Sequence, residues 1–376
     1  MKKLKLKDYE LARRLEISRY ETRHNEKLKR LDRIRLGIPA YSSTKGWSKP
    51  GIPGSGGTWE DMPVPKVVNL IDNRDETCNF FQLIRDRVRD GAKVRLVFME
   101  TEKISSESLI YLLAQIHKLR LEHGLDRITG TYPKSRRIER LLGESGFLKI
   151  LNVITRPIPG KKSASTRFVK CKTDTEMNGP IIPVLKEELL GNDLVMPQSI
   201  GKMVYRALIE AMANVKHHAY DNKSLRNKKL KGRWWLGAQI SHTKSIFTLT
   251  FYDAGVGIPK TLHRQYGWEL IRSAISSLPG MMPDDGQMIR AAVELGRTRT
   301  GKSNRGKGLM DIHKLIEKVG AGCLIIYSRQ GRYRFENGSE IVSNDKNFIE
   351  GTLIKWQLPL DKMVSVLGNT DEYQDD

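Results

Sequence analysis

The chain is poor in cysteine. It has three in 376 residues, Cys78, Cys171 and Cys323, odd in number and in no CxxC pair. That excludes a disulfide scaffold and a zinc ribbon, and it suits a reducing compartment, so a cytoplasmic location is expected. Long apolar runs are missing too. No stretch approaches the roughly 20 residues of a membrane span. The basic N-terminus lacks the apolar core of a signal peptide, so no membrane partner is expected. Aromatic residues are sparse at 7%, and none cluster beside the basic segments as the stacking side chains of a single-strand binder would. No internal repeat of any period is visible. The remaining deficit is negative charge: Asp and Glu number 43 against 65 Lys and Arg, a net charge of +22. Such an excess suits nucleic acid, an anionic surface, phosphate ligands or an acidic partner.

Composition shifts divide the chain. Residues 1–36 carry 13 Lys/Arg and six Asp/Glu without Pro or Gly, and read as a basic helical extension. Residues 37–65 are dense in Pro and Gly and read as a linker. From 66 to 160, strands such as Val94–Phe98 alternate with helical stretches at Phe80–Arg89, Ser106–Leu121 and Ser135–Gly146, which predicts a small α/β domain. Residues 161–180 are polar and read as a second linker. A second α/β pattern fills 181–362, with a helix over Ile200–Tyr220 and strands at Trp234–Ile240, Ser245–Asp253, Gly322–Ser328, Arg332–Glu336 and Thr352–Leu358. A long irregular insertion is expected after Pro259. Residues 363–376 form an acidic tail.

Four segments carry candidate chemistry. In Glu210–Tyr220 (EAMANVKHHAY), Glu210, Asn214 and His218 are four apart and share one helix face. A carboxylate, an amide oxygen and an imidazole in a row suit a hard cation and an activated water, or simply a solvated polar face. Tyr252–Pro259 (YDAGVGIP) ends an apolar strand with Asp253 and two glycines, Gly255 and Gly257. The acid can accept from an exocyclic amine, and the glycines permit close backbone approach to a flat ring; an ordinary Asp-Gly turn has the same spelling. Gly301–Leu309 (GKSNRGKGL) runs into a helix and presents Gly306, Lys307 and Gly308 where phosphate oxygens bind at helix N-termini. Gly308 stands where the GxxxxGK[ST] pattern of a P-loop needs Ser or Thr, so the segment does not match a P-loop. Gly351–Thr352 opens the last strand, with a hydroxyl able to reach a phosphate.

In this order the four segments resemble the N box, G1 box, G2 box and terminal GT strand of the GHKL (Bergerat-fold) ATPase superfamily. The EAxxNxxxHAY spelling is most similar to anti-sigma-factor serine kinases. The resemblance covers about residues 181–359. It implies a two-layer α/β sandwich with helices on one face of a mixed sheet, and ATP and Mg²⁺ as cofactors. Glu210 would be the catalytic base and Asn214 the Mg²⁺ ligand. Asp253 would bind the adenine amine beside Gly255 and Gly257. Gly306, Lys307 and Gly308 would hold the phosphates, with His218 near them and Thr352 supporting the base. The stretch from Pro259 to Arg305, with Arg290, Arg297, Arg299 and Lys302, would be the ATP lid.

Val94–Phe98 and Lys103–Leu109 with its helix, together with Ser135–Leu142 and Gly146–Phe147, resemble a STAS domain. Ser106 stands where that family is phosphorylated, but Ser105 replaces its Asp and Ser108 its Gly; Ser105 and Ser106 also suit a helix cap. His117 and His123 lie outside any His-Glu-rich dimerisation helix, which disfavours a sensor histidine kinase.

Two functions follow as expectations. The first is an enzyme, a Mg-ATP-dependent ATPase or serine/threonine protein kinase, whose lid closure regulates the fused STAS-like domain, a protein partner or a homodimer. The second is an ATP-gated switch that binds nucleic acid through residues 1–36 and 223–233 with little catalysis.

Overall fold

The computed structural model describes residues 59–154, 166–176, 183, 188, 194–220, 230–275, 282–298 and 308–366. The basic extension, most of the 223–233 cluster and the acidic tail lie outside the described residues.

The N-terminal region begins with β1 (Trp59–Pro63), β2 (Val67–Val68) and α1 (Arg74–Arg89). It continues with β3 (Lys93–Val97), β4 (Lys103–Ile104), α2 (Ser106–His123), β5 (Ile128–Gly130), α3 (Arg136–Glu144) and the short α4 (Phe147–Ile150). Strands β1, β3 and β5 form a three-stranded parallel sheet with β3 in the centre. In β3, Val94 and Leu96 alternate with less buried neighbours, so period-two patterning places one face in the core. Helix α1 starts six residues before the sequence predicts, because Arg74 is buried in an ion pair with Asp345 at 3.2 Å and Thr77 is fully buried.

The second region contains β6 (Thr166–Phe168) and β7 (Lys172–Asp174), both inside the stretch read as a linker, and β8 (Leu194–Val195). Helix α5 (Gln198–Asn214) runs directly into a π-helical turn at Val215–Ala219. Then come β9 (Trp234–Ser241), β10 (Ile246–Asp253), α6 (Ile258–Gln265), α7 (Trp268–Ala274), α8 (Asp285–Thr298) and α9 (Gly308–Val319). The described chain closes with β11 (Cys323–Glu336), β12 (Ser339–Pro359), α10 (Leu360–Met363) and β13 (Ser365–Val366). A six-stranded sheet runs β11-β12-β10-β9-β6, with β7 also on β9. Its pairings are antiparallel. The chain is therefore α/β: a parallel βαβ region followed by an antiparallel sheet packed against helices.

Two expectations change. The segment after Pro259 is not irregular: α6, α7 and α8 occupy much of it and share a small core of Leu262, Ile271, Met288 and Leu295. Pro259 sits in the first turn of α6, where its missing N–H costs nothing. The strands expected at 322–328, 332–336 and 352–358 are two long ones. They join at Asn337-Gly338, both at positive φ (51° and 76°), the geometry of a tight hairpin turn.

The antiparallel sheet is covered on both sides. Trp234, Leu236, Phe251, Leu324, Ile326 and Trp356 face α5 and α9. Their neighbours Trp235, Tyr252, Ile325, Tyr327 and Leu353 join one continuous core with α1, α2 and the parallel sheet. Helix α2 lies so close that a Cβ on Gly237 would meet Ile110 Cδ1 at 2.3 Å. Between these layers Lys355 Nζ and Glu107 Oε2 form a buried ion pair at 2.8 Å. Burial acts to raise the Glu107 pKa, but the Lys355 charge and hydrogen bonds hold it below the ordinary value. No helix among the described residues is long and apolar enough to cross a membrane.

Candidate functional site

The site forms where three pieces of backbone meet: the end of α5, the β10–α6 connection and the centre of β12. Strand β10 pairs with β12 so that Asp253 stands opposite Thr352. The π-helical turn is pinned to the loop after β10: Val256 N donates to Ala219 O at 2.8 Å, and Ala254 N donates to the Tyr220 hydroxyl at 3.2 Å. That hydroxyl donates in turn to Arg233 O at 2.6 Å. π-helical turns inside α-helices often mark functional sites.

A cavity of about 80 Å³ lies at this junction. Of the residues singled out in the sequence, it brings together Asn214, His218, Asp253, Gly257 and Thr352. Thr261 and Gln265 of α6 and Phe251 and Ile354 of the sheet complete much of the wall. Asp253 is 6% exposed, and its Oδ1 accepts from Gly255 N at 2.8 Å. Burial pushes its carboxyl up to about 7, against backbone hydrogen bonds from Gly255 and Thr352 that favour the charged form. Asn214 is half-buried and its amide makes no hydrogen bond to a described residue. His218 is exposed; partial desolvation and the neighbouring His217 hold its imidazole below the ordinary pKa.

Three expected details differ. Glu210 is half-buried one turn before Asn214 on α5 but does not line the cavity. The straight i, i+4 stack ends at Asn214, because Val215–Ala219 is a wider π turn that rotates His218 relative to α-helical spacing. Gly255 and Gly257 are required by the protein's own packing. A Cβ at Gly255 would lie 2.2 Å from Ala219 O, and one at Gly257, where φ is +89°, would lie 2.7 Å from Ser328 Oγ.

Gly306 and Lys307 lie outside the described residues, as do Arg299 and Lys302. Gly308 is the first residue of α9. Of the expected lid arginines, Arg290 is held by Glu340 of β12, with Nε 3.1 Å from Oε2.

Ser328 is the residue that sequence reasoning missed. Its hydroxyl accepts from Ile258 N at 2.9 Å and donates to Gly351 O at 2.9 Å, and it lies 3.3 Å from Thr352 Oγ1. It ties α6, β11 and β12 together behind Asp253. The signal was a lone hydroxyl ending the apolar run CLIIYS. In the N-terminal region, Ser105 occupies the N-cap of α2 but its side chain makes no cap bond; it donates to Ser108 Oγ at 2.8 Å. Ser106 Oγ lies 3.2 Å from Glu107 Oε2. His117 Nδ1 accepts from Trp235 Nε1 at 3.1 Å, and burial, with Arg233 and Arg120 nearby, lowers its pKa to about 4.

Among the described residues no group of three or more His, Cys, Asp or Glu could hold a metal ion. Comparison with known protein families and with curated proteins finds no match to this chain.

Proposed function

We propose that residues 181–359 form a GHKL-type nucleotide-binding unit and that the chain is a Mg-ATP-dependent ATPase or protein serine kinase. The observation that carries this is the buried Asp253 carboxyl at a strand end, sharing one cavity with Asn214 and Thr352. A buried acceptor beside Gly257 and flanked by apolar Phe251 and Ile354 suits the exocyclic amine of a flat base. The cavity is smaller than the roughly 300–1,000 Å³ of a complete ligand site, so it would take only part of a nucleotide.

Asn214 fits the part of a single neutral oxygen ligand. Mg²⁺ bound to a triphosphate keeps several waters and takes few protein groups, so a cluster of acids is not needed. When bound, the ion would neutralise charge on the phosphates. Glu210, on the same helix, has the role of polarising the attacking water or hydroxyl. The α9 N-terminus at Gly308 supplies partial positive charge for phosphates.

Incubation with γ-labelled ATP and Mg²⁺ tests this. Label is expected in free phosphate or on a protein serine, with Glu210→Ala abolishing turnover while ATP still binds. Absence of both turnover and ATP binding in the unaltered chain sinks the reading. Normal turnover in Glu210→Ala reassigns the base.

A further inference from the structure

A larger cavity, about 610 Å³, lies on the opposite side of the antiparallel sheet, between that sheet and the N-terminal region. Its size is typical of small-molecule sites, roughly 300–1,000 Å³. Nothing in the nucleotide reading uses it.

Its floor is a polar row across three strands of the sheet. Gln239 of β9, Thr248 of β10 and Gln357 of β12 stand side by side in register. Thr248 is only 4% exposed, and none of the three side chains hydrogen-bonds to a described residue. Gln239 and Gln357 are part-buried, so their amides stay open to the cavity, while Thr248 is a buried polar side chain of the kind normally partnered. A row of three at the bottom of a cavity is the arrangement a hydroxyl- or amide-bearing ligand would satisfy. Phe168 of β6 extends the row beside Gln239 and offers an apolar wall.

The rim is positive. Two helices, α2 and α3, begin at this cavity, through Ser105 to Glu107 and Arg136 to Ile138. Helix N-termini carry partial positive charge and free N–H groups. Arg136 and Arg137 stand in the first turn of α3, where a cation opposes the helix dipole. They are exposed, and neither they nor Lys244 across the opening pair with a described residue. Acids are present but largely matched: Glu107 is neutralised by Lys355, and Asp72 lies 3.6 Å from Lys103. Glu102 and Glu144 also line the cavity, as does Arg140, so the cations that pair with no described residue are Arg136, Arg137 and Lys244.

We propose that this cavity binds a small organic phosphate. Its phosphate group sits on Arg136, Arg137, Lys244 and the two helix N-termini. Its hydroxyl-bearing body lies on the Gln239–Thr248–Gln357 row. Arginine suits the phosphate because its planar fork matches two oxygens at once. The site is independent of the nucleotide reading and stands if that reading fails.

Calorimetric titration of the full chain with ribose 5-phosphate and with inorganic phosphate, at fixed ionic strength, tests it. Ribose 5-phosphate is expected to bind more tightly than inorganic phosphate. Arg136→Ser/Arg137→Ser should weaken both at least tenfold; both positions are exposed, so the fold is retained. Thr248→Val/Gln357→Leu should remove the advantage of ribose 5-phosphate and leave inorganic phosphate unchanged. Undetectable binding at millimolar probe, or equal affinity in the unaltered chain and the arginine variant, overturns the proposal.

Discussion

The Tyr252 hydroxyl accepts a hydrogen bond from Gln115 Nε2 at 2.9 Å, joining the antiparallel sheet to α2 of the N-terminal region. The same hydroxyl donates to Glu350 O at 3.1 Å. Glu350 N in turn donates to Tyr111 OH at 3.2 Å, and its carboxylate meets Lys118 Nζ at 2.5 Å. Tyr252 directly precedes Asp253, and Glu350 stands two residues before Thr352. One face of α2 therefore holds both strand segments that place the cavity side chains.

Loss of that hydroxyl strands Gln115, whose Oε1 already has no hydrogen-bond partner. Tyr252→Phe is expected to lower stability by about 1–3 kcal/mol, the cost of an unmade buried hydrogen bond. Urea denaturation reads this directly. A change below a few tenths of a kcal/mol means that the link contributes nothing.

Asp253 gives the chain an unusual pH dependence. Its folded pKa of about 7 lies above the ordinary 3.8, so between these values the folded state holds a proton that the unfolded state has lost. Stability from this group is therefore greatest at low pH and falls as pH rises towards 7, by roughly 1.4 kcal/mol for each pH unit separating the two pKa values. Asp253→Asn should flatten the change between about pH 4 and about pH 7. If urea midpoints of the variant and the parent move in parallel, the carboxyl is not buried as described.

The Glu107–Lys355 pair separates burial from pairing. Glu107→Leu alone leaves a buried, uncompensated ammonium and is expected to cost about 3–5 kcal/mol. Adding Lys355→Met should recover most of the loss, since an apolar pair of similar volume is often neutral or better. A double variant as unstable as the single one contradicts this.

Gly255→Ala drives a Cβ into Ala219 O, 2.2 Å away, and should destabilise by about 1–3 kcal/mol through overpacking. Ala219→Gly should not fully rescue it: it removes the Ala219 Cβ, 2.6 Å away, but leaves the nearer backbone carbonyl in place. Full rescue would place the conflict in the Ala219 side chain alone.

Much of the secondary structure was legible. Apolar runs such as IFTLTFYD and the helical spacing of Leu109, Leu112, Leu113 and Ile116 appear as β10 and α2. The insertion after Pro259 reads as irregular in sequence because its helices bury few large side chains each and form only a small core of their own. Of the candidate residues that type and spacing single out, Asn214, His218, Asp253, Gly257 and Thr352 line one cavity. Ser328 escaped, since a single serine at a strand end carries no periodic signal.

By itself, the sequence determined the α/β class, because hydrophobic period is a local property of neighbouring residues. It also determined which polar residues lie at strand ends and on the α5 face. Only the tertiary structure decided that the N-terminal region closes the second face of the antiparallel sheet. WWLGAQI carries large apolar side chains on both of its faces, Trp235 on one and Trp234 and Leu236 on the other, but nothing local says what covers either one. It likewise decided that the glycines after Asp253 serve close packing against Ala219 and Ser328, and that Gln239, Thr248 and Gln357 line up across three strands. Strand register joins residues more than a hundred positions apart, and no local pattern encodes it.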